Sequence, residues 1–120
     1  MKIAVPVNDK FMESGVCQSF GRAPYFLIYD IKSKESDFLE NSAAISRGGA
    51  GIKAAQLVAD RKINALLAPR CGENAAEIIK AANIKLFKTI GDSISDNIAA
   101  FVDEKLPLLE DIHAGFHNHG

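Results

Sequence analysis

Residues 63–88 read INALLAPRCGENAAEIIKAANIKLFK, and this stretch decides the fold. Residues 63–68 are short and apolar, which is typical of a buried strand, and residues 84–88 predict a second strand. Between them, residues 74–82 predict a helix, because apolar side chains recur there at helical spacing. The apolar face of this helix consists of Ala75, Ile78, Ile79 and Ala82. A strand, a helix and a strand in this order form a right-handed crossover, so the two strands are predicted to run parallel.

Another helix and three further strands precede this unit. The helix is predicted over residues 51–61, with an apolar face of Ala54, Ala55, Leu57 and Val58. Alternating residues predict a strand over 2–7, and the almost wholly apolar residues 25–31 predict a strand covered on both faces. The more polar residues 35–41 predict a hairpin partner at the edge of the sheet. Pro6 lacks an N–H group, so the ladder of the first strand is expected to be interrupted there.

A third helix is predicted to begin after Ser93, which has Asp96 three residues later in the pattern of a capped helix start. Its apolar face consists of Ile94, Ile98, Phe101 and Val102. Pro107 lies just beyond the end of this helix. The chain is therefore predicted to form one domain over residues 1–110, followed by a Gly/His-rich tail over residues 111–120.

The order β-β-β-α-β-α-β-α predicts an α/β fold in which helices pack on a mixed sheet. The second strand should run against the first, and the later strands should run parallel to the first. The connections that follow the parallel strands, together with the one that enters the first helix, should then emerge at one edge. These connections are residues 8–24, 42–50, 69–73 and 89–93. Because open α/β sheets bind ligands at the carboxyl ends of their strands, this edge is the predicted site.

Composition and charge exclude several classes of function. The 120 residues carry a formal net charge of −1, whereas nucleic-acid-binding domains normally carry a clustered excess of positive charge. No apolar run is long enough to span a bilayer, and the apolar stretch at the N-terminus is too short for a signal peptide. Two cysteines, Cys17 and Cys71, make no disulfide framework, which favours a reducing compartment. The sequence thus predicts a cytoplasmic protein that binds neither nucleic acid nor membrane.

Three segments of the predicted edge carry residues suited to an anionic, sulfide-containing ligand. The stretch 8–24 is too long for a plain connection and contains Cys17 and Arg22. Residues 47–51, RGGAG, open the first helix, where glycines allow close approach and free N–H groups favour an anion. Cys71 lies where a strand turns into the second helix, so its thiolate is expected to be favoured.

Each of these features also has a purely structural interpretation. An isolated cysteine is often an inert core thiol, and glycines at a helix start can serve only the turn. The arginines can be solvated surface charges. The glycine run lacks the spacing of a dinucleotide fingerprint and the Lys of a phosphate-binding loop. The tail is either a metal-binding arm or a loosely ordered terminus.

Four segments resemble the dinitrogenase iron–molybdenum cofactor biosynthesis family, which includes nitrogenase accessory factors. They are residues 1–7 (MKIAVPV), 20–26 (FGRAPYF), 49–52 (GAGI) and 71–75 (CGENA). The resemblance extends to about residue 104. It implies a three-layer α/β/α, ribonuclease H-like fold with a five-stranded mixed sheet. It also implies binding of a metal–sulfur cluster or cofactor precursor, built from iron, molybdenum or copper sulfide, for storage, transfer or insertion.

The resemblance and the residue types together define the candidate site. The residues expected to contact the cluster are Ser19, Phe20, Gly21, Arg22, Arg47, Gly48, Gly49, Ala50, Gly51 and Gly72. The expected metal ligands are Cys17, Cys71, His113, His117 and His119. A metalloprotein that donates or receives the cluster is an expected partner.

Two positions depart from the family pattern. Many relatives have His where this chain has Ser19, and some have His where it has Gly48. Serine is a poor ligand for a soft metal, so either Cys17 takes over ligation or this chain binds a different ligand. A carrier without catalytic activity is the preferred function, and a small-anion or nucleotide-type binding module is the alternative. A nuclease is disfavoured because the first strand supplies no carboxylate, and a thiol redox enzyme because no Cys-x-x-Cys is present.

Overall fold

The computed structural model describes residues 1–110, which form a five-stranded sheet with helices on both of its faces. The strands are β1 (Lys2–Val7), β2 (Tyr25–Asp30), β3 (Ser36–Glu40), β4 (Ala65–Ala68) and β5 (Lys85–Lys88). The helices are α1 (Ala50–Ala59), α2 (Glu73–Ala81) and α3 (Ile94–Val102), and there are short 3₁₀ turns at Met12–Ser14 and Ser42–Ile45. The three tail histidines expected to bind metal lie outside the described residues.

The strand order is β3-β2-β1-β4-β5, with β1 at the centre. β1 and β2 pair antiparallel, as do β2 and β3, whereas β1, β4 and β5 run parallel. The predicted fold class is confirmed: a mixed five-stranded sheet between two helical layers. All three helices lie within one or two residues of their predicted positions, and β3 is the predicted edge strand.

Pro6 interrupts the sheet on one side only. The antiparallel ladder with β2 continues past it, with Pro6 opposite Phe26. The parallel pairing with β4 ends at Ala4, which lies opposite Leu66. The Pro6 carbonyl instead accepts a hydrogen bond from the Cys17 N–H at 2.8 Å. Pro6 has no N–H group to donate to β4. The loop after β1 therefore lies beside the strand at this point, where the pairing with β4 has ended.

The alternation of side chains along the strands divides the core into two layers. On one face, Ala4 and Leu66 pack with the buried residues of α1 and α2. On the other face, Val5 and Leu67 pack with Ile98 of α3. Each strand of the central pair is therefore buried on both sides, which explains its nearly continuous apolar sequence.

All three predicted helix faces differ in part from the observed ones. In α1, Leu57 is only half-buried. In α2, Ile79 is fully buried, but Ile78 is only partly buried and Ala82 is exposed. Ala82 caps the helix, and Asn83 turns the chain away with a φ of 62°, so Ala82 no longer faces the sheet. In α3, Val102 is 52% exposed, because it lies about 80° around the helix from Ile94, at the margin of the apolar stripe.

Ile79→Ala should lower the free energy of unfolding by about 2–5 kcal/mol, because it leaves a cavity between α2 and the sheet. Ile78→Ala is the matched control and should cost less than about 2 kcal/mol, since its side chain is already partly solvated. Urea denaturation of both variants checks this expectation. Equal losses in the two variants would show that the packing face of α2 is assigned wrongly.

The outer edge of β5 is covered by the chain segment that follows α3. Lys88 N–H donates to the Pro107 carbonyl at 2.8 Å, and Leu109 N–H donates to the Leu86 carbonyl at 2.9 Å. This pairing removes one free edge of the sheet. Among residues 1–110, no helix combines the length and apolarity needed to cross a membrane.

Candidate functional site

A cleft of about 840 Å³ opens where α1 and α2 begin, at the carboxyl end of β4. Three segments line it: residues 18–22, 47–52 and 70–75. The loop after β1 lies at the same edge, where the Val16 N–H donates to the Asp92 carbonyl in the connection after β5. The structure therefore confirms that the loops carrying Cys17, Gly49 and Cys71 share one edge of the sheet. The parallel pairing of β1, β4 and β5 is the physical reason.

Gly21 allows the loop before β2 to lie directly on the start of α1. A Cβ atom at this position would lie 2.8 Å from the Gly51 nitrogen and 2.9 Å from the Gly51 Cα. These are backbone atoms of a helix, which cannot move aside as a flexible side chain can. Two glycines at this contact thus bring residues 18–22 against the start of α1.

Asn41 is a buried polar residue that holds this loop in place. Its Nδ2 donates to the Gly21 carbonyl at 3.1 Å and to the Ala23 carbonyl at 2.8 Å. Its Oδ1 accepts from the Ala43 N–H at 3.1 Å. Asn41 was not among the predicted site residues, although an Asn just after a strand and before a polar turn is a recognisable turn signal.

Arg22 and Ser19 have structural contacts in addition to their place at the cleft. Arg22 Nη1 donates to the Ala44 carbonyl at 2.9 Å and to the Ser46 carbonyl at 2.7 Å. The Ser19 hydroxyl accepts from the Arg22 N–H at 3.2 Å, which closes a local turn. The Arg22 guanidinium therefore brings a positive charge to the cleft while it anchors the neighbouring segment.

Both helices that begin at the cleft lack a side-chain cap. The N-cap residue of α1 is Gly49, with a left-handed φ of 67°, and the N-cap residue of α2 is Gly72. By contrast, the Ser93 hydroxyl caps α3 by accepting from the Asp96 N–H at 3.1 Å. The first-turn N–H groups of α1 and α2 are thus left for another acceptor, and the helix dipoles favour an anion there.

The charged side chains of the cleft are mainly positive. Arg22, Arg47 and Arg70 line it, and Glu73 is the carboxylate among its lining residues. Within residues 1–110, none of these three arginines forms a salt bridge. Arg70 was not among the predicted site residues, although it directly precedes Cys71 in the same turn. The cleft as a whole suits an anionic ligand.

The two cysteines differ in their relation to the cleft. Cys71 lines it, but its side chain is packed in the core and the residue is only 1% exposed. Burial raises the pKa of this thiol to about 11, an effect that Lys80 only partly opposes. The expectation that the helix start would favour the thiolate is therefore wrong, because burial of this thiol penalises its charged form. Cys17 is half-buried at the same edge, next to the lining residue Gln18, and is not itself among the lining residues.

The remaining predicted contact residues all lie at the cleft. They are Ser19, Phe20, Gly21, Arg47, Gly48, Gly49, Ala50, Gly51 and Gly72. Phe20 is mostly buried and packs on Phe26, with ring centroids 5.2 Å apart. It therefore supports the loop from the core. The described residues hold no group of three or more His, Cys, Asp or Glu side chains placed to share a metal ion.

Comparisons with known proteins agree with the fold of this chain. The chain is 30% identical to an uncharacterised protein of Methanocaldococcus jannaschii, MJ0580, over 113 residues and 92% of each chain. Its fold matches the apo form of the orange protein from Desulfovibrio gigas, with a TM-score of 0.86, 27% identity and coverage of 91% and 92% of the two chains. It also matches a Thermotoga protein, TM1290, assigned to the DUF35 family, with a TM-score of 0.80, 33% identity and coverage of 99% and 98%. Residues 1–104 match the family described as "Dinitrogenase iron-molybdenum cofactor", and the chain belongs to this family.

Proposed function

We propose that this protein binds an anionic metal–sulfur cluster, or a precursor of an iron–molybdenum-type cofactor, in the cleft and carries it without catalysis. The observation that carries the proposal is the meeting of two uncapped helix starts with three arginines that have no salt-bridge partner in residues 1–110. Family membership supports a role connected with this cofactor or a related cluster. The volume of the cleft, about 840 Å³, leaves room for several metal and sulfide atoms.

Hydrogen bonds and charge are the main binding forces in this proposal. N–H groups in the first turns of α1 and α2 would donate to sulfide or oxo groups, while the arginines offset the negative charge. Cys71, assisted by Cys17, would contact the metal, since thiol sulfur is a soft ligand that suits molybdenum, copper and iron. Because burial raises the pKa of Cys71 to about 11, its bond to a metal requires loss of the thiol proton. Ligation by the tail histidines stays a prediction.

The direct test is anaerobic titration with tetrathiomolybdate, alone and with cuprous ion, and in parallel with ferrous ion plus sulfide. We expect metal and sulfide to stay with the protein through gel filtration, with a visible absorption band and an affinity that falls as salt is raised. Molybdate is the matched control, because it has the same charge and shape but no sulfide. If none of the sulfide-containing mixtures leaves metal on the protein, the proposal is wrong.

Replacing the thiols separates ligation from hydrogen bonding. Cys71→Ser should reduce the retained metal more than Cys17→Ser, because only Cys71 lines the cleft. Both variants change one atom, so metal analysis should be paired with urea denaturation to exclude a loss of folding. If both variants retain as much metal as the unmodified protein, the ligand is held by hydrogen bonds alone.

A small-anion or nucleotide-type ligand is the second candidate, because helix starts and arginines bind phosphate as readily as sulfide. Competition distinguishes the two functions. Inorganic phosphate and ADP should fail to displace tetrathiomolybdate at millimolar concentration if the sulfide ligand is the physiological class. Tight binding of phosphate or ADP, with no retention of sulfide, would favour this second candidate.

A further inference from the structure

An exposed apolar side chain lies beside the cleft, close to positively charged residues. Ile45, at the end of the 3₁₀ turn Ser42–Ile45, is 90% exposed, more than any other large apolar side chain among residues 1–110. Arg22 bonds to the two residues that flank Ile45, Lys53 bonds to Ser46, and Arg47 lies two residues after Ile45 in the chain. We refer to Ile45, Arg22, Arg47 and Lys53 as the Ile45 face. Protein–protein contacts typically have an apolar centre and a polar rim, and these four residues share that arrangement.

The backbone on both sides of Ile45 is held by two of these cations. Arg22 Nη1 donates to the carbonyls of Ala44 and Ser46, at 2.9 and 2.7 Å. Lys53 Nζ donates to the Ser46 hydroxyl at 2.9 Å. Ile45 is therefore presented from an anchored turn, so that its burial by a partner costs little conformational entropy.

No carboxylate of the described residues neutralises the positive charges of this face. Within residues 1–110, neither the two arginines nor Lys53 forms a salt bridge. The Ile45 face thus shares its two arginines, Arg22 and Arg47, with the cleft, whereas Ile45 and Lys53 lie outside the lining.

We propose that the Ile45 face docks a second, different protein that presents an acidic rim around an apolar pocket, and that Ile45 fills this pocket. The acidic rim would pair with Arg47 and Lys53, which speeds encounter and fixes the orientation of the partner. The identity of the partner rests on the proposed function: it is the protein that delivers or accepts the cluster. Docking there brings its surface to the cleft mouth, so that the cluster passes between the proteins with little exposure to water.

Two other occupants fit the face less well. A second copy of this chain in a symmetric contact would set the same cations against each other, which is repulsive. An anionic membrane would attract the cations, but the turn offers it only one large apolar side chain, since Ala43 is buried. Insertion of one side chain is a weak anchor compared with an amphipathic helix.

The partner can be identified by photo-cross-linking in the native host, with p-benzoylphenylalanine in place of Ile45. The matched control carries the same group in place of Val102, which is 52% exposed and lies on the opposite face of the sheet. The protein captured from position 45 and not from position 102 is then purified, and its affinity is measured by calorimetry with the chain free of metal. This measurement is independent of cluster binding.

We expect Ile45→Ala to weaken that complex about tenfold or more, as for a central anchor residue of an interface. Lys53→Gln should slow association and reduce the dependence of the affinity on salt. Val102→Ala should have no effect. Neither Ile45→Ala nor Lys53→Gln should change tetrathiomolybdate binding, because neither residue lines the cleft.

Several results would overturn docking at this face. They are the absence of a protein captured specifically from position 45, equal affinity of the captured protein for all variants, and Ile45-dependent dimerisation. Ile45-dependent sedimentation with phosphatidylserine-containing vesicles would likewise replace the protein partner with a membrane. Tetrathiomolybdate retention with no docking would leave the proposed function standing, whereas docking with no retention would leave the interface standing.

Discussion

Gly21→Ala should lower the free energy of unfolding by about 3 kcal/mol or more, at the upper end of the cost of over-packing. The added methyl group would lie 2.8 Å from the Gly51 nitrogen and 3.2 Å from the Ala50 carbonyl carbon, all within helix backbone. Either α1 or the loop must move, and a moved loop would disturb the bonds from Asn41 to the Gly21 and Ala23 carbonyls. The variant should therefore also lose tetrathiomolybdate binding.

Gly48→Ala is the matched control for this prediction. A Cβ at Gly48 has nothing within 4 Å, and its φ lies outside the left-handed region, so its stability should be unchanged or slightly higher. Urea denaturation of the two variants, analysed for midpoint and slope, gives the comparison. Equal stability of both alanine variants would show that the contact between the loop and α1 is not as close as the structure describes.

Replacing both Arg47 and Arg70 by Glu should weaken tetrathiomolybdate binding by at least about 100-fold. A hydrogen bond to a charged group contributes about 1.5–3 kcal/mol, and each reversal also places a carboxylate beside the anion. Both side chains are exposed, so the free energy of unfolding should change little. Arg22 is unsuitable for this test, because its contacts with Ala44 and Ser46 make its loss structural as well.

Arg61→Glu controls for the change in net charge. Arg61 is exposed, and it lies away from this cleft, beside Lys2 and Asp30 at the opposite end of the sheet. Arg61→Glu could weaken binding as much as each of the two substitutions does in the double variant. That result would mean that net charge, rather than the cleft, attracts the anion. Binding unchanged in the Arg47→Glu, Arg70→Glu variant would remove the arginines from the site.

The sequence alone determined the order of elements, the mixed sheet and the edge at which the candidate residues meet. These features depend on short-range patterns: apolar alternation in β1, the apolar repeat in α2, and the Ser93 cap of α3. Parallel strands place their following loops at the same edge, so convergence could be predicted without any distance. The candidate contact residues from Ser19 to Gly51, and Gly72, which the family resemblance and the residue types named, lie at that edge.

Only the tertiary structure decided how the residues at that edge behave. Burial of Cys71, which raises its pKa, depends on packing from several segments of the chain and not on its place at a helix start. The role of Asn41 and the contact of Gly21 with Gly51 join segments about 20 to 30 residues apart in the chain, which a local pattern does not encode. Pro6 has no N–H group. Only the tertiary structure shows that the pairing of β1 stops on the side of β4 and continues on the side of β2. Desolvation and close contact are properties of the packed molecule. They distinguish the residues that support the cleft from those that line it, although both groups lie at the same edge of the sheet.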